Sequence, residues 1–336
     1  MTRISRRHLL TASAGLSMAP LLPAVAHAQA DAKYPTKPIS MVIPYPAGGA
    51  SDASGRIYAD VMGRDLGQTV VVENLGGGTG VIGANRVLNA PADGYTLFQG
   101  SGNDTFLAPM LNPAVKFSPH DFRAVILMSE ATLLLLVRNG LPGGSLDEFL
   151  AYAKANTAKP LTYATVGIDS MYHLMGEALG KRVGVDFLHV PYKGAAPALQ
   201  ELGGGQVDFA ILPYQASIDG MAQQKRLQVA SSFSTALPAA LKHIPLITRS
   251  KMVPDFAYTI SGGYFVRKGT PEPIMARLRE AITVAVNDPA IRARLESEGR
   301  MFHAVPKTQA EVDARMNEQV TRYRKLVTDV GRKPLR

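Results

Sequence analysis

The chain has 336 residues, a formal charge of +9 and no cysteine. The missing thiols exclude disulfides, thiolate metal sites and a cysteine nucleophile, so an apolar core alone must hold the roughly two domains that this length suggests. Lys and Arg are dispersed, as in Arg277-Leu-Arg279 and Arg292-Ala-Arg294, not gathered with aromatics into a stripe that would read nucleic acid.

A basic head with Arg3, Arg6 and Arg7 leads into an alanine- and leucine-rich stretch ending at Ala26-His27-Ala28. This predicts a secretory signal peptide over residues 1–28, cleaved near Ala28, and hence a periplasmic protein. Pro20 and Pro23 interrupt the run before the ~20 residues that would span a bilayer. Ser5-Arg6-Arg7 also fits a twin-arginine signal, so both the Sec and twin-arginine routes stay open.

From Tyr34 the pattern alternates. Pro38–Ile43 reads as strand, Ser51–Leu66 as helix, Thr69–Val72 as strand, Val81–Leu88 as helix and Tyr95–Gln99 as strand, a β-α-β-α-β unit of an open α/β sheet with a parallel core. A second set begins at the Leu133–Val137 strand. Ser145 and Glu148 cap the helix Leu146–Lys154; Leu161–Ala164 is strand, Tyr172–Lys181 helix, Asp186–Val190 strand, Ala195–Leu202 helix, and Phe209–Leu212 and Leu227–Ser231 strands. Tyr264–Val266 returns as strand. Thr270 is expected to cap a helix that starts at Pro271, and Thr308 with Glu311 caps a last helix striped by Val312, Met316, Val320, Tyr323 and Val327.

Three stretches bear on chemistry. Gly78, Gly80 and Gly83 form G-x-G-x-x-G, with Asp104 21 residues later. The spacing suits a dinucleotide's ribose, but Asp104 falls beyond a loop and the unit is the second of its domain. A tight turn with close helix packing is the reading favoured here, and a nicotinamide-dependent oxidoreductase the lesser one. Pro44–Asp52 places Gly48 and Gly49 where a strand turns into a helix, with Ser51 or Asp52 as cap; either an anion sits on the helix-start amides or the turn is simply capped. Tyr163–Ser170 repeats the theme with Thr165, Gly167 and Ser170, and His173 follows as a structural hydrogen-bonder or a base. No G-x-S-x-G and no H-x-x-x-H occurs, so no catalytic residue, cofactor or metal is expected.

The motifs Tyr34-Pro-Thr-Lys-Pro-Ile39, Pro44–Gly49 with Asp52, Leu66–Asn74, Gly80–Gly83, Asp93–Leu97, Tyr163–Gly167, His173-Leu174, His189–Gly194 and Gly269-Thr-Pro271 resemble the Bug/TctC family. Its members are extracytoplasmic solute-binding proteins of tripartite tricarboxylate transporters. The resemblance implies a two-domain, periplasmic-binding-protein-like Venus flytrap of type II. Domain 1 would span 34–132 plus 267–336 and domain 2 would span 133–266, with Leu133–Val137 and Tyr264–Val266 as crossing hinge strands. It implies a small carboxylate between the lobes, met by Tyr45, Ala47, Gly48, Gly49, Asp52 and Ser101 from one side. Thr165, Gly167, Ser170 and His173 would meet it from the other. Membrane permease subunits are the expected partners of what is expected to be a monomer, with no nucleic acid; a sensor docking a two-component kinase is the alternative. Asp169, where the family usually has glycine, is expected to meet a ligand amine or hydroxyl or to face solvent. Ser261 replaces a frequent tryptophan, Arg267 a proline, and Leu75-Gly76 a common Arg-Pro.

Overall fold

A computed structural model describes residues 34–335; the signal peptide expected over 1–28 lies outside the described residues. The chain opens with β1 (Ile39–Ile43), α1 (Ala50–Leu66), β2 (Val70–Asn74), α2 (Val81–Leu88) and β3 (Thr96–Ser101). A π-helical turn, Gly102–Leu107, and a short α3 (Ala108–Leu111) lead to β4 (Phe122–Ala131). A second series follows: β5 (Leu133–Arg138), α4 (Leu146–Ala155), β6 (Thr162–Thr165), α5 (Met171–Val183), β7 (Leu188–Pro191), α6 (Ala195–Gly203), β8 (Phe209–Pro213), α7 (Ser217–Gln223) and β9 (Leu227–Ser232). The chain ends with β10 (Ile260–Arg267), α8 (Glu272–Asn287), α9 (Pro289–Ser297), β11 (Arg300–Phe302) and α10 (Gln309–Asp329).

These strands form two sheets, one per lobe. The first has the order β11-β4-β10-β3-β1-β2 and the second β7-β6-β8-β5-β9. β1 pairs in parallel with both β2 and β3, and β6 in parallel with β7 and β8, as strands joined by helical crossovers must. In β5 the side chains Leu133 to Val137 are all fully buried, which is why this strand is apolar at every position instead of at alternate ones. α1 lies close on β1 because Gly55 has no side chain; a Cβ there would sit 2.4 Å from Ile43 Cδ1.

Two expectations need correction. Of the strands named as hinges, Leu133–Val137 lies within the second sheet and Tyr264–Val266 within the first. β10 runs antiparallel between β3 and β4, so residues 260–266, counted in sequence with the second lobe, pair with the first. The reason is β4, a ten-residue strand that the sequence pattern did not reveal and that pairs with β10 along its length. The chain passes between the sheets at Thr132 and along residues 233–259. Thr132 is clamped there, donating its N–H to Gly299 O (2.9 Å) and accepting from Tyr214 N (2.8 Å). Thr270 is not a cap either: its hydroxyl donates to Arg267 O (2.8 Å), and α8 begins after Pro271 without a side-chain cap. Ser145 and Thr308 do cap, each accepting from the amide three residues on.

Candidate ligand-binding site

The loop after β1 delivers α1 with its first amides open. Gly49 is extended (φ −91°, ψ 171°) and supplies no side-chain cap, and among the described residues the amides of Ala50, Ser51 and Asp52 find no acceptor. Such amides carry the positive end of the helix dipole. Asp52 turns back instead, accepting from Gly48 N (2.9 Å) and from Arg56 Nε (3.1 Å). Burial raises its carboxyl, but Arg56, the Gly48 amide and Asn74 outweigh burial and hold it below the usual range. Asp52 is thus a brace for the loop, while Ala47 and Gly48 face solvent.

A second open helix start comes from the other lobe. α6 follows Gly194 without a side-chain cap, and the Ala195 and Ala196 amides have no acceptor among the described residues. A Cβ built on Gly49 would lie 3.9 Å from both Ala196 N and Gln215 Oε1, so the two starts face each other. Gln215 is 5% exposed, and its Oε1 is buried without a hydrogen-bond partner.

α5 was expected to provide that opposite face, but its Met171 and His173 amides are already engaged, leaving the Tyr172 amide without an acceptor among the described residues. The Met171 amide donates across the lobes to Asn103 Oδ1 (2.8 Å), and the His173 amide to Ser170 Oγ (3.3 Å). The Ser170 hydroxyl donates to Gly167 O (2.7 Å), and Thr165 Oγ1 lies 2.7 Å from His189 Nε2. His173 stacks on His189 with ring centroids 3.9 Å apart and accepts the Asp169 amide at Nδ1 (3.1 Å). Burial lowers the His173 pKa, and burial with the neighbouring ring lowers that of His189 to about 4, so both are neutral at pH 7. Asp169 meets neither solvent alone nor the cavity: Arg332, beyond α10, binds it (2.5 Å) and Glu177 (2.7 Å). Gly167 and Asp169 instead line a wider groove of about 400 Å³ with Thr79 and Lys193.

Between the open starts of α1 and α6 lies a narrow interlobe cavity of about 40 Å³. Of the expected residues it takes in Tyr45, Gly49 and Ser101; to these it adds Ser51, Val166, Tyr172, Ala195, Ser261 and Arg300, among others. The larger hollow along Arg64 and Thr69 is lined by α1, β2 and the turn between them. On the first-lobe wall, Tyr45 Oη (3.1 Å) and Ser101 Oγ (2.6 Å) both donate to Asp104. Burial raises the Asp104 carboxyl to about 6 against the pull of those hydrogen bonds, and burial with the Asp104 charge raises the Tyr45 phenol well above its ordinary range. Arg300 Nη2 donates to Ser54 Oγ (2.7 Å) and Ala50 O (3.5 Å), which ties its guanidinium to the first turn of α1. Arg300 and Asn103 carry no motif; only the fold brings them here.

The G-x-G-x-x-G loop packs closely, as its favoured reading expects. A Cβ on Gly80 would lie 2.4 Å from Asp104 Cβ, and one on Gly83 3.0 Å from Pro44 Cβ. Thr79 Oγ1 donates to Ile168 O (2.8 Å), joining the lobes.

Comparison with known proteins agrees with this architecture. The model of the tripartite tricarboxylate transporter family receptor (TctC) matches residues 55–332. The chain is 31% identical to the UPF0065 protein in the tcbD-tcbE intergenic region of Pseudomonas sp. (strain P51), over 98% of this chain and 96% of that one. It superposes on the periplasmic binding protein BugD with a TM-score of 0.81 at 29% identity, covering 89% and 99% of the two chains. It superposes on MatC from Rhodopseudomonas palustris with bound malate with a TM-score of 0.78 at 28% identity, covering 88% and 100%. The fold is therefore that of a two-lobed periplasmic-type binding protein, and the chain belongs to the TctC, or Bug, family of solute-binding receptors.

Proposed function

We propose that the mature chain is a periplasmic solute-binding protein that closes its lobes on a small organic carboxylate and hands it to the membrane subunits of a tripartite transporter. The observation that carries this reading is the opposition of the α1 and α6 starts. Open amides from different lobes face one narrow cavity, so a carboxylate bridging them stabilises the shut state over the open one. The amides of Ala50, Ser51, Ala195 and Ala196 are the proposed donors, with Tyr45 and Ser101 beside them. Asp52, Thr165, Gly167, Ser170 and His173 shape the loops that hold those donors. The bound malate of MatC is the kind of guest the cavity chemistry suits, and the basic, apolar N-terminal stretch supports export.

The test is thermal unfolding of mature protein stripped of endogenous ligand, with a panel of mono-, di- and tricarboxylates, amino acids and neutral analogues. A ligand present at about 100 times its Kd adds about 2.7 kcal/mol of stability. At least one carboxylate should raise Tm while its amide analogue does not. A panel in which no carboxylate shifts Tm overturns the reading.

A further inference from the structure

Arg300 is a cation in the cavity with no carboxylate to balance it. Among the described residues no acid lies within salt-bridge distance of it, whereas Arg138, Arg277 and Arg332 each meet at least one. A half-buried charge without a counterion is costly until an anion arrives. The side chain is nevertheless held in place: Nη2 is fixed by Ser54 Oγ and Ala50 O, while Nε and Nη1 have no acceptor among the described residues. The walls around it are small or neutral, with Ser261 and Tyr172 lining the same cavity and Gly262 so close that a Cβ there would lie 3.3 Å from Nη1.

These donors stand apart from the helix-start amides but near them. Arg300 reaches the carbonyl of Ala50, the residue whose own amide is open, so the two donor sets lie within about one helical turn, roughly 5 Å. A guest filling both needs two anionic groups a few bonds apart. We propose that Arg300 is a specificity-determining residue that binds the second carboxylate of a short dicarboxylate, whose first carboxylate sits on the α1 and α6 amides. This rests on the carboxylate-binding function and narrows its substrate class.

Matched acids differing in one carboxylate test it: succinate against butyrate, and malate against 3-hydroxybutyrate, measured by calorimetry on stripped wild-type protein, Arg300→Gln and Arg300→Lys. A charge-assisted bond to a buried carboxylate corresponds to about 10- to 100-fold in affinity. Wild type should prefer the diacid of at least one pair by that factor. Arg300→Gln should abolish the preference for the diacid over its matched monoacid, and Arg300→Lys should restore part of it. A wild type that binds monoacid and diacid alike overturns the Arg300 assignment while leaving carboxylate binding intact. So does an Arg300→Gln protein that keeps the preference, or that weakens both acids equally. If Arg300→Gln fails to fold, the wild-type ratio together with Arg300→Lys decides. Failure to bind any acid removes this proposal and the function beneath it together.

Discussion

The starts of α1 and α5 follow one pattern, a strand followed by a small, glycine-bearing polar loop and a helix, yet they do different work. At α1 the cap is a glycine without a side chain, and the first amides are left open toward the other lobe. At α5 Ser170 folds back on its own helix, and Asn103 arrives from the opposite lobe to take the Met171 amide. The lesson is that a helix start binds an anion only where nothing in the protein has already taken its donors. α6, which begins after Gly194 with no polar cap, is the true counterpart of α1.

The largest effect that sharpens this comparison lies beneath the α1 side. Asp104 rises from an ordinary 3.8 to about 6, a difference worth about 3 kcal/mol. Because the folded protein holds this proton more tightly than the unfolded chain, the contribution to stability is fully present below about pH 4 and is lost as pH climbs through about 6. Asp104→Asn should be as stable as wild type at pH 7 or more so, and it should lack that part of the pH slope. Denaturant midpoints between pH 4 and 7 check this, and an unchanged slope refutes it. With the neutral amide in place, Tyr45 and Ser101 are also released to donate toward the cavity, so carboxylate affinity at pH 7 should not fall.

Ala50→Pro comes next. Proline is tolerated in the first turn of a helix, and Gly49 already has the extended backbone that proline asks of its predecessor. The substitution deletes one open amide without breaking α1, so Tm of the empty protein should hold while carboxylate affinity falls by about 1.5–3 kcal/mol. Equal affinity in calorimetry would remove α1 from the site.

At α5 the expected losses are in stability and not in binding. Gly167 has φ 146°, and a Cβ there would press on Thr79 Oγ1 at 2.7 Å; Gly167→Ala should cost on the order of 1–3 kcal/mol. Ser170→Ala removes a helix cap and should cost about 1 kcal/mol. Its carboxylate affinity should stay within a few-fold of wild type. A large affinity loss in Ser170→Ala at unchanged Tm would place the ligand on α5 after all.

Much of the fold was legible because its signals are local. The Val81–Leu88 helix was read with its observed bounds, and α1 and the β5 strand each within one residue. What escaped depends on distant chain. β4 lacks clean alternation and was visible only through its pairing with β10. Missing it displaced the hinge from Thr132 and moved β10 to the wrong lobe. In the site, the α1 loop was read from Gly48, Gly49 and Asp52, but no sequence pattern says that Asn103 will occupy an amide 68 residues away. Nor does a pattern mark Arg300, on a three-residue edge strand, as the cavity's cation, or Arg332 as the partner that turns Asp169 away from it.

The most direct test follows individual amides. In ¹H–¹⁵N spectra of the mature protein titrated with malate, the resonances of Ala50, Ser51, Ala195 and Ala196 should move downfield together at one saturating concentration, while those of Met171 and His173 keep their positions. Movement of Met171 and His173 with the Ala50 and Ala195 signals unmoved would contradict the account and return the carboxylate to α5.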